Sequence, residues 1–286
     1  MITKIETIHI MPGLLCNFHC THCVNDSGPK KTEIVSEEEI LKISSEIGTH
    51  SPKKLIFTGG EPTLHLDIIN RLVSSHPNLN NTEIFITTNG WFSKSEELIT
   101  SILDKFVKLS HLQLSFDAFH GSRVSVDDIR RLRDNVRMRN IEFNISMCIS
   151  NPLDLIAAHK LQKDLEEVVI FQKVDATGRA KLNSLSFKYP TFEKETLSKK
   201  CPNIGQISYI VNKGFSVCCS NLIFNNQTSQ EIHHQSITDH LNSEFYSNLK
   251  NKSFGEILIA KSIDTEGLSA EYSSPCRLCE LAHKDK

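Results

Sequence analysis

The apolar positions of the first 180 residues switch repeatedly between two rhythms. Short runs such as Lys54-Leu55-Ile56-Phe57 and Glu83-Ile84-Phe85-Ile86-Thr87-Thr88 read as buried strands, and residues 4–11 alternate as a strand does. Between them, apolar residues recur three and four apart, the mark of a helix with one buried side. Ser36-Glu37-Glu38-Glu39 is a capping box, and the helix it opens carries Ile40, Leu41, Ile43 and Ile47 on an apolar face. A second helix carries Leu66, Ile68, Ile69 and Leu72, and a third spans 94–108. Strand 111–117, a basic helix over 126–139, strand 141–149, a helix over 152–166 and strand 167–174 complete the series. Strands alternating with helices in this way imply a parallel sheet with right-handed crossovers. Six such units are too few for a closed eight-unit barrel.

The rhythm breaks after residue 180, which divides the chain into an expected domain over 1–180 and a smaller one over 181–286. A polar linker over 181–200 ends at Cys201-Pro202. Residues 207–211 and 215–219 read as a β-hairpin around Asn212-Lys213-Gly214. The stretch 221–275 is rich in Asn, Gln and His, with short helices near 238–250 and 253–261. His233-His234 falls in a polar loop and reads as a solvated pair.

Composition narrows the function. The 286 residues, 39% hydrophobic, can bury an ordinary core. A net charge of −2 with no long Lys/Arg run argues against a nucleic-acid partner. No apolar run approaches a membrane span, and the charged, alternating N-terminus is not a signal peptide. Nine cysteines without an export signal point to the reducing cytoplasm and to metal ligation rather than disulfides.

Three of those cysteines lie in Cys16-Asn17-Phe18-His19-Cys20-Thr21-His22-Cys23. Three thiolates can hold three irons of a [4Fe–4S] cube and leave the fourth open to a small chelating molecule, whereas ferredoxin spacings bring a fourth thiolate. A zinc site or three unrelated core cysteines are the alternatives. Polar residues cluster at the expected strand ends: Gly59-Gly60-Glu61, then Thr87-Thr88-Asn89, Ser115 and Asp117, and Ser146. Each could equally be a turn former. Cys148 reads as a small core residue. Downstream, Cys201, one of Cys218 and Cys219, Cys276 and Cys279 can converge as four thiolates, on a [4Fe–4S] cluster or on zinc. Neighbours on a strand point to opposite faces, so one cysteine of the doublet ligates and the other keeps a free thiol. That thiol either packs or serves as a hydrogen-atom donor.

The CxxxCxxC spacing resembles the radical S-adenosylmethionine (SAM) superfamily. There SAM chelates the open iron and is reductively cleaved to a 5′-deoxyadenosyl radical that abstracts hydrogen from a substrate. The resemblance implies an α/β fold: a partial (β/α)6 TIM-like barrel followed by a small α+β cluster-binding domain. It makes Cys16, Cys20 and Cys23 the ligands of the SAM cluster. Gly59-Gly60-Glu61 looks like the family's GGE motif, whose glycines admit close approach and whose carboxylate accepts from the SAM ammonium. Asn89, Ser115, Asp117 and Ser146 would line the SAM rim, with Asp117 suited to a ribose diol. His22 takes the place of an aromatic residue that packs near adenine. Asp175-Ala176-Thr177-Gly178-Arg179-Ala180 resembles the GRA segment that closes the barrel there.

The C-terminal cysteines resemble the twitch domain, a shortened relative of the SPASM domain that carries one auxiliary [4Fe–4S] cluster. With the doublet, they also resemble radical SAM peptide epimerases. By that likeness Cys201, Cys218, Cys276 and Cys279 ligate and Cys219 returns hydrogen to a substrate radical; the general SPASM spacing from Gly214 makes Cys219 the ligand instead. The implied partners are a peptide or small-molecule substrate and a flavodoxin- or ferredoxin-like electron donor. A twitch dehydrogenase of an alcohol or sugar-like compound is the first alternative, and a non-catalytic electron carrier the second.

Overall fold

Six parallel strands form the centre of the computed structural model, which describes residues 5–120, 123–225 and 231–285. They are β1 (Thr7–Met11), β2 (Lys54–Phe57), β3 (Glu83–Thr88), β4 (His111–Ser115), β5 (Glu142–Ile149) and β6 (Val169–Lys173). Each pairs with the next in parallel, with Ile8 opposite Leu55, Leu55 opposite Ile84, Ile86 opposite Leu112 and Leu114 opposite Ile145. The crossovers are α1 (Glu37–His50), α2 (Leu66–Ser74), α3 (Glu96–Leu103), α4 (Val126–Met138) and α5 (Asp154–Leu165). Alternate strand residues, among them Ile8, Leu55, Ile84, Leu112 and Ile145, are fully buried in the core shared with the helices. This is the partial barrel expected from the alternation, open because the sheet stops short of closure.

The expected hairpin is present, as β7 (Gln206–Ile210) antiparallel to β8 (Gly214–Ser216). It does not stand apart. β7 pairs in parallel with β1, Ile8 opposite Ile207, and makes one eight-stranded sheet in the order β6-β5-β4-β3-β2-β1-β7-β8. β8 is shorter than the sequence suggested and ends before Cys218 and Cys219, so the doublet lies in a loop and strand alternation does not separate its side chains. After β6 the chain forms a short helix, α6 (Arg179–Leu182). After the hairpin come α7 (Asn221–Asn225), α8 (Ile237–Asn242), α9 (Glu244–Asn251), α10 (Phe254–Ala260) and α11 (Pro275–His283). Their apolar faces form a second core with Ile210, Val217 and the end of β1 at Met11.

Two helices differ from their expected form. Leu41 is 68% exposed, because only Ile40, Ile43 and Ile47 share the buried stripe of α1. The 94–108 helix shrinks to Glu96–Leu103, with its start set by the Ser95 side chain, which accepts from the Leu98 N–H. The Ser36 capping box forms as expected, with Glu39 N–H donating to Ser36 Oγ at 3.2 Å and Ser36 N–H to Glu39 Oε2 at 2.7 Å. Glu39 Oε1 also accepts from Tyr209 Oη at 2.6 Å and from the Asn212 N–H at 3.0 Å, which ties α1 to the hairpin. Ser36→Ala should therefore lower the unfolding free energy by about 1 kcal/mol, read from denaturant midpoints. No helix among the described residues is long and apolar enough to cross a membrane.

Candidate active site

The cysteine loop leaves the C-terminal end of β1 and returns at α1. Two isolated bridges, Gly13 with Ile34 and Leu15 with Gly28, fold it back on itself. Leu14 N–H donates to Glu33 O at 2.9 Å and Val35 N–H to Pro12 O at 2.9 Å. Inside this frame, N–H groups point at sulfur: Phe18 N–H to Cys16 Sγ at 3.4 Å and Ser27 N–H to Cys23 Sγ at 3.3 Å. Asn89 Nδ2 lies 3.6 Å from Cys16 Sγ. Burial pushes the Cys16 thiol up to about 12, and the nearby Glu61 carboxylate and the Cys20 and Cys23 thiols add to the rise. Such thiols ionise only against a bound cation, whose charge inverts the local preference.

The spacing of the sulfurs bears on which cation. One zinc with bonds of about 2.3 Å holds its thiolates about 3.8 Å apart. Among the described residues, the one group of three His, Cys, Asp or Glu donors within 4.8 Å of one another is His22, Asp117 and Cys148. Neither cysteine set is gathered as tightly as zinc requires. A cube with irons at its corners spreads its thiolates farther.

The glycines of the second strand end do something the sequence did not suggest. Gly60 N–H donates to Gly13 O and Glu61 N–H to Leu15 O, both at 2.9 Å. A Cβ on Gly60 would lie 2.0 Å from Leu15 O, and Gly59 has φ +122°. What approaches closely is the cysteine loop's own backbone, and the pair of glycines lets loop and strand end lie against each other. Asn25 Nδ2 adds a bond to Gly59 O at 2.7 Å.

Glu61 is 1% exposed. Its Oε1 accepts from Thr63 Oγ1 at 2.6 Å, Thr88 Oγ1 at 2.7 Å and Thr63 N–H at 3.2 Å, and Oε2 from the Asn89 N–H at 2.9 Å. Burial raises its carboxyl against these bonds, which favour the charged form. Oε2 carries a single partner and keeps a lone pair for a cationic ligand. Glu61→Gln turns one acceptor into a donor facing these N–H and O–H groups. It should lower stability by about 1–3 kcal/mol in denaturant titrations and weaken SAM binding in parallel.

Asp117 departs from the free bidentate carboxylate expected of a ribose contact. It is 5% exposed, and Oδ1 accepts from His120 Nδ1 at 2.8 Å, Phe119 N–H at 2.9 Å and His120 N–H at 3.2 Å. Oδ2 accepts from the Cys148 N–H at 3.2 Å and faces His22 Nε2 at 3.6 Å. Burial works against a charge on His120, but its bonds to Asp117 and Cys20 overcome this and raise it to about 10. Burial instead drives His22 down to about 4, so its ring is neutral, stacked on Phe119 with centroids 4.6 Å apart. Its buried Nδ1 has no partner. Cys148 is half-buried beside His22 and Asp117 at the site, not in the core. Ser115 and Ser146 face each other across β4 and β5.

Arg179, which the sequence offered only as part of the barrel-closing GRA segment, is an anchor of the cysteine loop. It is 6% exposed, and its guanidinium donates to Cys20 O at 3.0 Å, Ser27 O at 2.6 Å and Asp26 Oδ1 at 2.9 Å. Its backbone N–H donates to Cys23 O at 2.9 Å. Gly178, at φ +54°, lies where a Cβ would sit 2.1 Å from Val24 O. Only the Gly-Arg step after the last barrel strand hinted at this. His120 and Asn25 carried no signal at all.

The second cysteine set lies beyond the hairpin. Cys276 and Cys279 are one turn apart on α11, and Cys201, Cys218 and Cys279 pack against the second core. Burial pushes the Cys276 and Cys279 thiols well up, the charges of Cys218 and Cys201 add to both and that of Cys219 to Cys276, so all five sulfurs share one neighbourhood. Of the doublet, Cys218 is half-buried and Cys219 exposed, with Cys219 Sγ accepting from Asn203 Nδ2 at 3.2 Å. His234 is no solvated residue: its Nδ1 lies 3.1 Å from His240 Nδ1, and His240 Nε2 accepts from the Val217 N–H at 2.9 Å.

Residues 10–146 match the family model of the radical SAM superfamily. The chain carries a radical SAM domain. Among solved structures it is similar to anSMEcpe with bound AdoMet and Cp18Cys peptide, at TM-score 0.56 and 15% identity over 96% of this chain and 95% of that one. It is similar also to BtrN in complex with AdoMet and 2-DOIA, at TM-score 0.54 and 14% identity over 88% of each chain. At these identities the likeness is one of fold. A curated relative, the GTP 3′,8-cyclase of Chlorobaculum tepidum, is 31% identical over 88 residues, 30% of this chain and 26% of that protein. The chain spans 13% to 35% of the length of the first curated relatives it matches. Membership implies a SAM-binding [4Fe–4S] cluster, and Cys16, Cys20 and Cys23 are the residues that would hold it.

Proposed function

We propose that this radical SAM enzyme modifies a ribosomally made peptide by Cα epimerisation, with Cys219 as the hydrogen-atom donor. The supporting observation is the split doublet: Cys218 packs against the second core with Cys201 and Cys279, and Cys219 is exposed. Cys201, Cys218, Cys276 and Cys279 then hold an auxiliary [4Fe–4S] cluster. Four thiolates are a full ligand set for such a cube. A [4Fe–4S] cluster held by Cys16, Cys20 and Cys23 would supply the electron that cleaves SAM to methionine and the 5′-deoxyadenosyl radical.

The protein's own residues do the rest. Glu61 Oε2 accepts from the SAM ammonium, and Asn89 fixes the rim between Glu61 and Cys16. His22, neutral and stacked, offers Nδ1 to the adenine side, while Ser115 and Ser146 line the strand ends. Asp117 acts by holding His120 and the Cys148 backbone rather than by touching ribose. The substrate loses its α-hydrogen to form 5′-deoxyadenosine, and Cys219 S–H returns hydrogen to the opposite face. The resulting thiyl takes one electron and one proton, the electron coming from an external flavodoxin- or ferredoxin-like protein, so the peptide undergoes no net oxidation.

The test is incubation with synthetic all-L peptides in D₂O under reducing conditions. Because a thiol exchanges with solvent, epimerisation places a single deuterium at one Cα and yields a D-residue. Formation of a carbonyl without deuterium, on an alcohol or sugar-like substrate, would replace this reading with a dehydrogenase.

A further inference from the structure

The eight residues that follow β6 touch both cysteine sites, and with opposite ends of the same short segment. Toward the N-terminal loop, Gly178 fits against Val24 O and Arg179 binds Cys20 O, Ser27 O, Asp26 and, through its backbone, Cys23 O. Asn183, just beyond, donates to Thr21 O at 2.9 Å. Toward the C-terminal site, Asp175 Oδ1 accepts from Ser274 Oγ at 2.8 Å, two residues before Cys276. Thr177, fully buried, donates to Asn221 Oδ1. Asn221 Nδ2 in turn donates to Glu280 Oε2 at 3.0 Å, and Glu280, 5% exposed and next to Cys279, also accepts from Arg277 at 2.7 Å and Asn225 at 2.9 Å.

We propose that residues 175–182 are a strut that sets the geometry of the SAM-cluster loop from the C-terminal cysteine site, with Arg179 as its positioning residue. The guanidinium is planar and presents its donors in a fixed fork. Bound to two loop carbonyls and one carboxylate, it fixes the turn between Cys20 and Cys23 in a way no single contact could. The fork cannot shift by itself, because Gly178 is wedged on Val24 O and Thr177 is locked in a buried bond. A displacement of α7 or α11 therefore reaches the loop through contiguous, fully paired groups, the physical condition for coupling between sites. The inference rests on the loop holding the SAM cluster, but not on the metal at the C-terminal site.

The test follows iron release from the anaerobically reconstituted full chain into a ferrous chelator. The N-terminal cluster is tracked by the part of the dithionite-reduced EPR signal that changes when SAM is added. Arg179→Gln is expected to lose this signal at least tenfold faster than wild type, and Arg179→Lys at an intermediate rate, since an ammonium replaces only part of the fork. Asn221→Ala, which touches nothing in the cysteine loop, is expected to speed the same loss several-fold. Thermal melts confirm that each variant is folded, and Arg179→Lys stands in if the glutamine variant is not. Wild-type release rates in the folded Arg179 variants would overturn the positioning role. A wild-type rate in Asn221→Ala would overturn the strut and leave Arg179 a local anchor. Absence of any SAM-sensitive signal in the wild type would overturn the cluster reading itself.

Discussion

The Cys16/Cys20/Cys23→Ala triple variant is expected to hold about four irons where the wild type holds about eight, and to form no 5′-deoxyadenosine above background. The loss is complete because three ligands leave at once and the Asn89, Phe18 and Ser27 donors then face no sulfur. The remaining irons are expected at Cys201, Cys218, Cys276 and Cys279, of which Cys201, Cys218 and Cys279 pack against the second core. Iron and acid-labile sulfide, measured after anaerobic reconstitution, check this directly. A fall from about four irons to none would mean that the C-terminal thiols bind zinc or nothing. The auxiliary cluster, and the epimerase proposal built on it, would then be withdrawn, and the radical SAM assignment would stand.

Cys219→Ala should leave SAM cleavage near the wild-type rate while deuterium incorporation into peptide falls by about two orders of magnitude or more, the size expected when a group used only in the reacting step is removed. An unquenched Cα radical should then accumulate and be visible by EPR. Cys219 is exposed and bonded only weakly, to Asn203, so its removal leaves the fold and the half-buried Cys218 in place. Cys218→Ala makes the contrasting case, with loss of C-terminal iron. If Cys219→Ala instead abolished SAM cleavage with full iron content, the thiol would have no role as a donor. If Cys219→Ala lost iron and Cys218→Ala did not, the two roles would be exchanged, as the spacing from Gly214 suggests.

The sequence by itself determined the alternation of strands and helices, and so the parallel sheet, because burial on both faces or on one face writes a period that needs no partner to be read. It also determined the CxxxCxxC loop and the strand-end positions of Glu61, Asn89, Ser115 and Asp117, since closely spaced cysteines are local in the chain and the ends of parallel strands gather at one rim. Capping at Ser36 was legible for the same local reason: its donors and acceptors lie three residues apart.

Only the tertiary structure decided how these parts are used. Strand pairing between β7 and β1 joins residues about 200 positions apart, and hydrophobic pattern names a strand's faces but not its neighbour. Leu41 left the core because a helical stripe is narrower than a list of apolar residues. Asp117 turned inward because His120, three residues further along the chain, satisfies the carboxylate first. A buried carboxylate takes whatever donor folding brings nearest. Arg179 shows the same limit from the other side. Its identity was plain in the sequence, but its four acceptors come from Cys20, Cys23, Asp26 and Ser27, more than 150 residues away, and only the closed fold brings a guanidinium to those carbonyls.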